Sequence, residues 1–252
     1  METNHVAAER GWVWVKQGWI LFTKSPVMWL VLLLIAFGAA VLLSMIPVVG
    51  QPLTTLLGPV IMAGLMSGCR ALEQEEDLEL AHLFSGFQQQ TTQLITVGGL
   101  SLLGQFLILG LMIGMGASSL IGIMMSDTPP HDPGVIAEAF VGAGAAVLVG
   151  LVLFCLLMMA AQFAPMLVYY NRLSPLAAMK LSLRVFFNNI GAMFVYGLVA
   201  IVLAILATVP MMLGWIVLIP VMVTSIYACY RDIFPFPDEA VAEQPAATDM
   251  EA

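Results

Sequence analysis

The sequence predicts an all-α integral membrane protein with six transmembrane helices, arranged as three antiparallel hairpins, each preceded by an amphipathic interfacial helix. Three observations predict it. Hydrophobic residues make up 61% of the 252 positions and charged ones only 10%, where a soluble domain averages about 45–50% and about 25%. The sparse charges fall in clusters that leave long uncharged runs between them. On a six-span reading, every basic residue falls on the same side of the bilayer. A soluble fold would leave much of this apolar excess in water, and a net charge of −8 provides no basic footprint for nucleic acid.

The uncharged runs set the span count. Between Lys24 and Arg70 lie 45 residues without a formal charge, and between Arg184 and Arg231 lie 46. A helix crosses the hydrocarbon in about 20 residues, so each run holds two crossings. Pro47, Gly50 and Pro52 interrupt the first run, and Pro210 and Gly214 the second. These runs become hairpins over about 27–69 and 190–229. The middle hairpin, about 94–170, is built from Leu94–Met125 and Ala139–Tyr170, each 32 uncharged residues, with the polar stretch Ser126–Glu138 between them. A straight helix of that length would measure about 48 Å against a core of about 30 Å, so both long spans are expected to kink or to project. Residues 1–234 read as a single membrane domain. The tail, 235–252, has five acidic residues, three prolines and no Lys or Arg, and is expected to be disordered.

Orientation follows from Arg10, Lys16, Lys24, Arg70, Arg172, Lys180, Arg184 and Arg231, because the opposite connections (47–52, 126–138 and 210–212) contain no Lys or Arg. The positive-inside rule then puts both termini of a multi-pass chain in the cytoplasm. The polar stretch Met1–Arg10 lacks the apolar core of a cleaved signal peptide. Cys69, Cys155 and Cys229 lie in apolar stretches and read as small buried hydrophobes.

A short amphipathic stretch precedes each hairpin. Trp12, Val15, Trp19 and Phe22 form the first apolar stripe, with Lys16 off it. Leu80, Leu83, Phe84 and Phe87 form the second, and Leu176, Met179, Leu183 and Phe186 the third. The first and third units also align with each other. Lys16 and Phe22 fall opposite Lys180 and Phe186, and Pro59 to Arg70 spans eleven residues, as does Pro220 to Arg231. We read three copies of a surface helix plus a hairpin, related by a pseudo-threefold axis along the membrane normal.

The segments GWILFTKSPVMWL, MAGLMSGCRAL, LAHLFSGF and PLAAMKLSLRVFFNNIGAMF resemble an uncharacterised proteobacterial family of six-span inner-membrane proteins. That family is itself distantly similar to YciC-like proteins and to the membrane domain attached to some glycerophosphodiester phosphodiesterases. The resemblance covers about residues 10–235. It implies an inner-membrane location and a six-helix domain, and it carries over no catalytic residue.

No ionisable side chain falls deep in any span, which argues against a proton-coupled carrier. No nucleophile elbow, phosphate loop or HExxH is present, and His5, His82 and His131 are scattered over both faces. The chain is therefore expected to be no enzyme and to hold no cofactor or metal. Gln105 and Gln162 are the polar candidates inside spans, either lining a pore or bonding between helices. Gly110, Gly114, Ser118 and Gly122 recur every four residues, as do Gly142, Ala146 and Gly150, and are expected to let two helices approach closely. Pro59, Pro165 and Pro220 should kink their spans. The acidic linker Glu73, Glu75, Glu76, Asp77 and Glu79 reads as a solvated loop. Lys16, Lys24, Lys180 and Arg184 are the candidate contacts for anionic headgroups. Membrane phospholipids are the expected partners, with a second membrane protein or a second copy of the chain as the other partner class. The rival expectation is a transporter or channel for a neutral or hydrophobic solute, lined by Gln105, Gln162 and proline-freed carbonyls.

Overall fold

The structure, a computed structural model, describes residues 3–126, 132–234 and 236. His131 and the acidic tail, apart from Phe236, lie outside the described residues. Backbone groups in hydrocarbon must be satisfied within the segment itself, and an apolar run without charges therefore becomes helix. Among the described residues, six helices are long and apolar enough to cross a membrane. They pair as α2 (Pro26–Ser44) with α3 (Gly50–Glu73), α6 (Thr91–Met112) and its continuation with α8 (Pro133–Gln162), and α11 (Ile190–Thr208) with α12 (Trp215–Ile233). The chain is an all-α integral membrane protein.

Both long central spans bend, each for an identifiable reason. After α6 the chain widens into a π-helical turn, Ile113–Ala117, where Gly116 sits at φ 103°, before α7 (Ser118–Met124) resumes. Only glycine adopts that backbone without strain. The fourth span breaks at Phe163 before α9 (Ala164–Asn171). Pro165 lacks the N–H that would continue the ladder. Ser182 is inserted into the gap: its hydroxyl accepts from Phe163 N (3.2 Å) and donates to Met159 O (2.7 Å). A side chain entering the helical ladder is a recognised cause of a kink. Of the hairpin breakers, Pro52 falls inside the first turn of α3, where a missing N–H has no cost.

The surface segments are α1 (Arg10–Lys24), the pair α4 (Leu80–Leu83) and α5 (Ser85–Gln88), and α10 (Pro175–Asn188). The middle one is two single turns rather than the one helix its stripe suggests. Each packs on the hairpin before it in a cyclic order. Segment α4–α5 lies on α3, where the Ser67 and Ser85 hydroxyls share a 2.7 Å hydrogen bond. Helix α10 lies on α8 through Ser182. Helix α1, with no hairpin ahead of it, closes the cycle on α11 and α12: Thr224 Oγ1 donates to Gly18 O at 2.8 Å.

The buried faces of the surface helices differ from the expected stripes. On α1 the packed residues are Gly11, Trp14, Val15, Gly18 and Phe22, while Trp12 (45% exposed) and Trp19 (50%) face outward. A Cβ on Gly18 would lie 2.7 Å from Ser225 N, so only glycine lets α1 and α12 approach this closely. On α10 the buried set is Pro175, Ala178, Met179, Ser182 and Val185, and Leu176 is exposed. Val15, Phe22 and Met179 of the expected stripes are buried and Trp12, Trp19 and Leu176 are not, so apolar spacing alone does not select the packed face.

Candidate functional site

One continuous core draws on all three hairpins: Trp29, Leu32, Val60, Met66, Leu94, Leu167 and Tyr230 are each fully buried in it. The second helices of the first and third hairpins, α3 and α12, bury their C-terminal halves in it, whereas α2 buries only Trp29 and Leu32. Neither Gln105 nor Gln162 enters this core.

The end that carries the basic residues is closed by a polar and aromatic network. Arg10 grips Asp232 with two bonds, Nε to Oδ2 at 2.8 Å and Nη2 to Oδ1 at 2.6 Å, and Trp14 Nε1 donates to the same carboxylate at 2.8 Å. The hydrogen bond to Asp232 raises the Arg10 pKa above its ordinary value, outweighing the lowering effect of burial. Arg231 Nε and the Tyr227 hydroxyl both donate to Glu73, at 2.8 and 2.6 Å. Phe236 lies under the Arg70 guanidinium, 3.6 Å from its ring centroid, with Tyr170 edge-on. Tyr230 donates to Asn171 Oδ1. These ties gather the ends of α3, α9 and α12 and the start of α1 at one end of the bundle. Glu73 is thus part of an ion pair, a correction to the solvated linker the sequence suggested, and Glu79 caps α4, while Glu75, Glu76 and Asp77 are exposed as that reading expects.

Among the described residues, three grooves open laterally, one beside each hairpin. The largest, about 720 Å³, lies between α1, α11 and α12 and is lined by Trp12, Lys16, Trp19, Leu206, Val217 and their neighbours. A second, about 320 Å³, lies between α2, α3 and α4–α5, with Phe84 and Phe87 where the first has its tryptophans. A third, about 420 Å³, lies between α6 and α8. Volumes of this order suit small apolar ligands.

The candidate residues separate on this frame. Lys16 stands on the rim of the largest groove, 5.3 Å from the Trp12 ring centroid. Lys180 and Arg184 are exposed, one turn apart on α10. Lys24 plays a different role, since its ammonium donates to Leu72 O at 2.6 Å and caps the C-terminus of α3. Gln105 lines the third groove, on the lateral surface, and Gln162 ends α8 beside the kink.

The small-residue stripes do not pair as expected. A Cβ on Gly110, Gly114, Gly122 or Gly142 would meet nothing within 4 Å, and Ser118 is exposed. The π turn inserts an extra residue and rotates the face, so the period of four no longer follows one side of the helix. Two residues of the fourth-span stripe do pack against the third span, Ala146 with Ala143 against Ala117, and Gly150 against Met112. Cys155 is also exposed, unlike Cys69 and Cys229.

Sequence reasoning missed Asp232, Thr224, Tyr196 and the groove lining on α11 and α12. The paired glycines of α1, seven residues apart, and the small residues Ala207 and Gly214 flanking the last turn were the available signals. Over 99% of its length the chain is 28% identical to a probable inner membrane protein of Burkholderia thailandensis, which the alignment covers completely. No family model matches the chain, and no solved structure matches it.

Proposed function

We propose that the chain is a non-enzymatic inner-membrane protein, with both termini cytoplasmic, that binds anionic phospholipid along its lateral faces rather than conducting a solute through its centre. The reading rests on one contrast: one core of fully buried side chains draws on all three hairpins, while the grooves open sideways. Bases exposed at one end, Lys16, Lys180 and Arg184, sit where headgroups would lie, and each such base gains about 1 kcal/mol near an anionic surface. The similarity to a probable inner membrane protein agrees with the location. The orientation is supported by the one-ended convergence of α1, α3, α9 and α12, which gathers Arg10, Lys24, Arg70 and Arg231.

Native mass spectrometry of the purified protein tests the lipid reading. Wild type retains phosphatidylglycerol or cardiolipin, and retention falls when Lys16, Lys180 and Arg184 are all replaced by glutamine. Unchanged retention, or solute flux through reconstituted liposomes, favours the transporter reading instead. Orientation is tested by Ala246→Cys in a cysteine-free background. Labelling by a membrane-impermeant thiol reagent in intact cells would reverse it.

A further inference from the structure

The largest groove owes its shape to how its hairpin is tied. Near the basic end, the Tyr196 hydroxyl on α11 bonds the Ser225 hydroxyl on α12 at 2.7 Å. At the far end, Gly214 lies directly against Ala207, and Trp215 Nε1 donates to Thr208 Oγ1 at 3.1 Å. Between these two fastenings α11 and α12 part, and α1 roofs the gap at the level of Gly18, which meets α12 at Thr224 and Ser225. From Thr224 down to Gly214 the helix falls about 15 Å, at about 1.5 Å per residue. That is half of a hydrocarbon core of about 30 Å, the depth of one leaflet.

The chemistry of the rim differs between grooves. At the basic end of this one stand Lys16, a compact cation on a flexible stem, and the indoles of Trp12 and Trp19, side chains suited to the headgroup level. Asp232 is taken up by Arg10 and Trp14, so no carboxylate among the lining residues opposes Lys16. The groove of the first hairpin has the same aromatic rim, Phe84 and Phe87, but its lining has no Lys or Arg.

Building on the lipid reading above, we propose that the groove between α1 and the third hairpin is a site for one anionic phospholipid of the leaflet at the basic end. Lys16 holds the phosphate, and an acyl chain runs beneath α1 between Leu206 and Val217. The first hairpin's groove takes an acyl chain without selecting headgroup charge.

Tryptophan quenching by brominated lipids reads this site directly, because Trp12 and Trp19 face it. The protein is reconstituted in phosphatidylcholine vesicles containing either dibrominated phosphatidylglycerol or dibrominated phosphatidylcholine. Wild type and Lys16→Arg should prefer the anionic quencher about fivefold. The preference should fall to about one in Lys16→Gln and should stand unchanged in the Lys180→Gln, Arg184→Gln double variant. Val217→Phe, which fills the groove from its half-exposed side and leaves Lys16 in place, should lower it as well. Preference lost in Lys16→Gln but kept in Val217→Phe would reduce the effect to surface charge and overturn the groove. Preference lost only in the double variant would overturn the groove and leave lipid binding standing. Equal quenching by both lipids in wild type would overturn both.

Discussion

The two ends of this bundle are built differently. At the basic end α1, α3, α9 and α12 are fastened by ion pairs, an indole donor, a helix cap and a buried aromatic stack. At the opposite end the contact between α6 and α8 reduces to a small cluster of Ala117, Ala143 and Ala146, and glycines there face open space. Lipid tails are as apolar as leucine, so helices gain little by burying apolar side chains against each other rather than against lipid. Polar ties and close backbone approach carry the association. The ion pairs Arg10–Asp232 and Arg231–Glu73 lie at the basic end, and the far end is held by the close approaches of Gly50 to Leu43 and Gly214 to Ala207 and the Trp215–Thr208 bond.

Substitutions at the two ends should therefore differ in cost. Gly18→Leu should have the largest effect, above about 4 kcal/mol. Its Cβ would lie within 2.8 Å of the Ser225 backbone, and moving α1 away would break the Thr224 bond. Loss of a cooperative unfolding transition in detergent is the expected observation. Phe236→Ala should cost about 3 kcal/mol, because it removes a buried ring from between Arg70 and Tyr170. A clear fall in thermal midpoint, with cooperative unfolding retained, would support it. Asp232→Ala should cost about 2 kcal/mol by leaving Arg10 and Trp14 without their acceptor. Arg10→Ala added to it should cost little more, which a double-mutant cycle checks. Gly114→Leu should change the midpoint least, within about 0.5 kcal/mol. A large loss there would show that the two ends are more alike than their contacts indicate.

The hairpins were legible because eight bases mark their ends and uncharged runs can only be helix in lipid. The buried faces were not legible. On α1, Trp12 and Trp14 are equally apolar, and only long-range partners on α11 and α12 decide which is buried. The stripe from Gly110 to Gly122 misled for a related reason: its spacing assumes a regular helix, and the wider turn containing Gly116 interrupts it. Of the candidate site, the base Lys16 could be read from the sequence. The groove it borders could not, because its walls belong to helices nearly 200 residues further along the chain. Lys24 shows the converse, a base at the expected depth that is spent on capping a helix end.

The cyclic packing of the surface helices has a consequence for biosynthesis. Helix α1 leaves the ribosome well before α12, yet the hydrogen bond that seats it joins residues 206 positions apart. At about 5–20 residues per second, some 10–40 s of translation separate its synthesis from that of its partner. Through that interval the glycine face of α1 has nothing to dock against, and the first two hairpins are already in the bilayer when α12 arrives. Seating of α1 is then the closing event of assembly. A chain truncated before Thr224 would keep its first two hairpins, lose more than half of α12 and never latch.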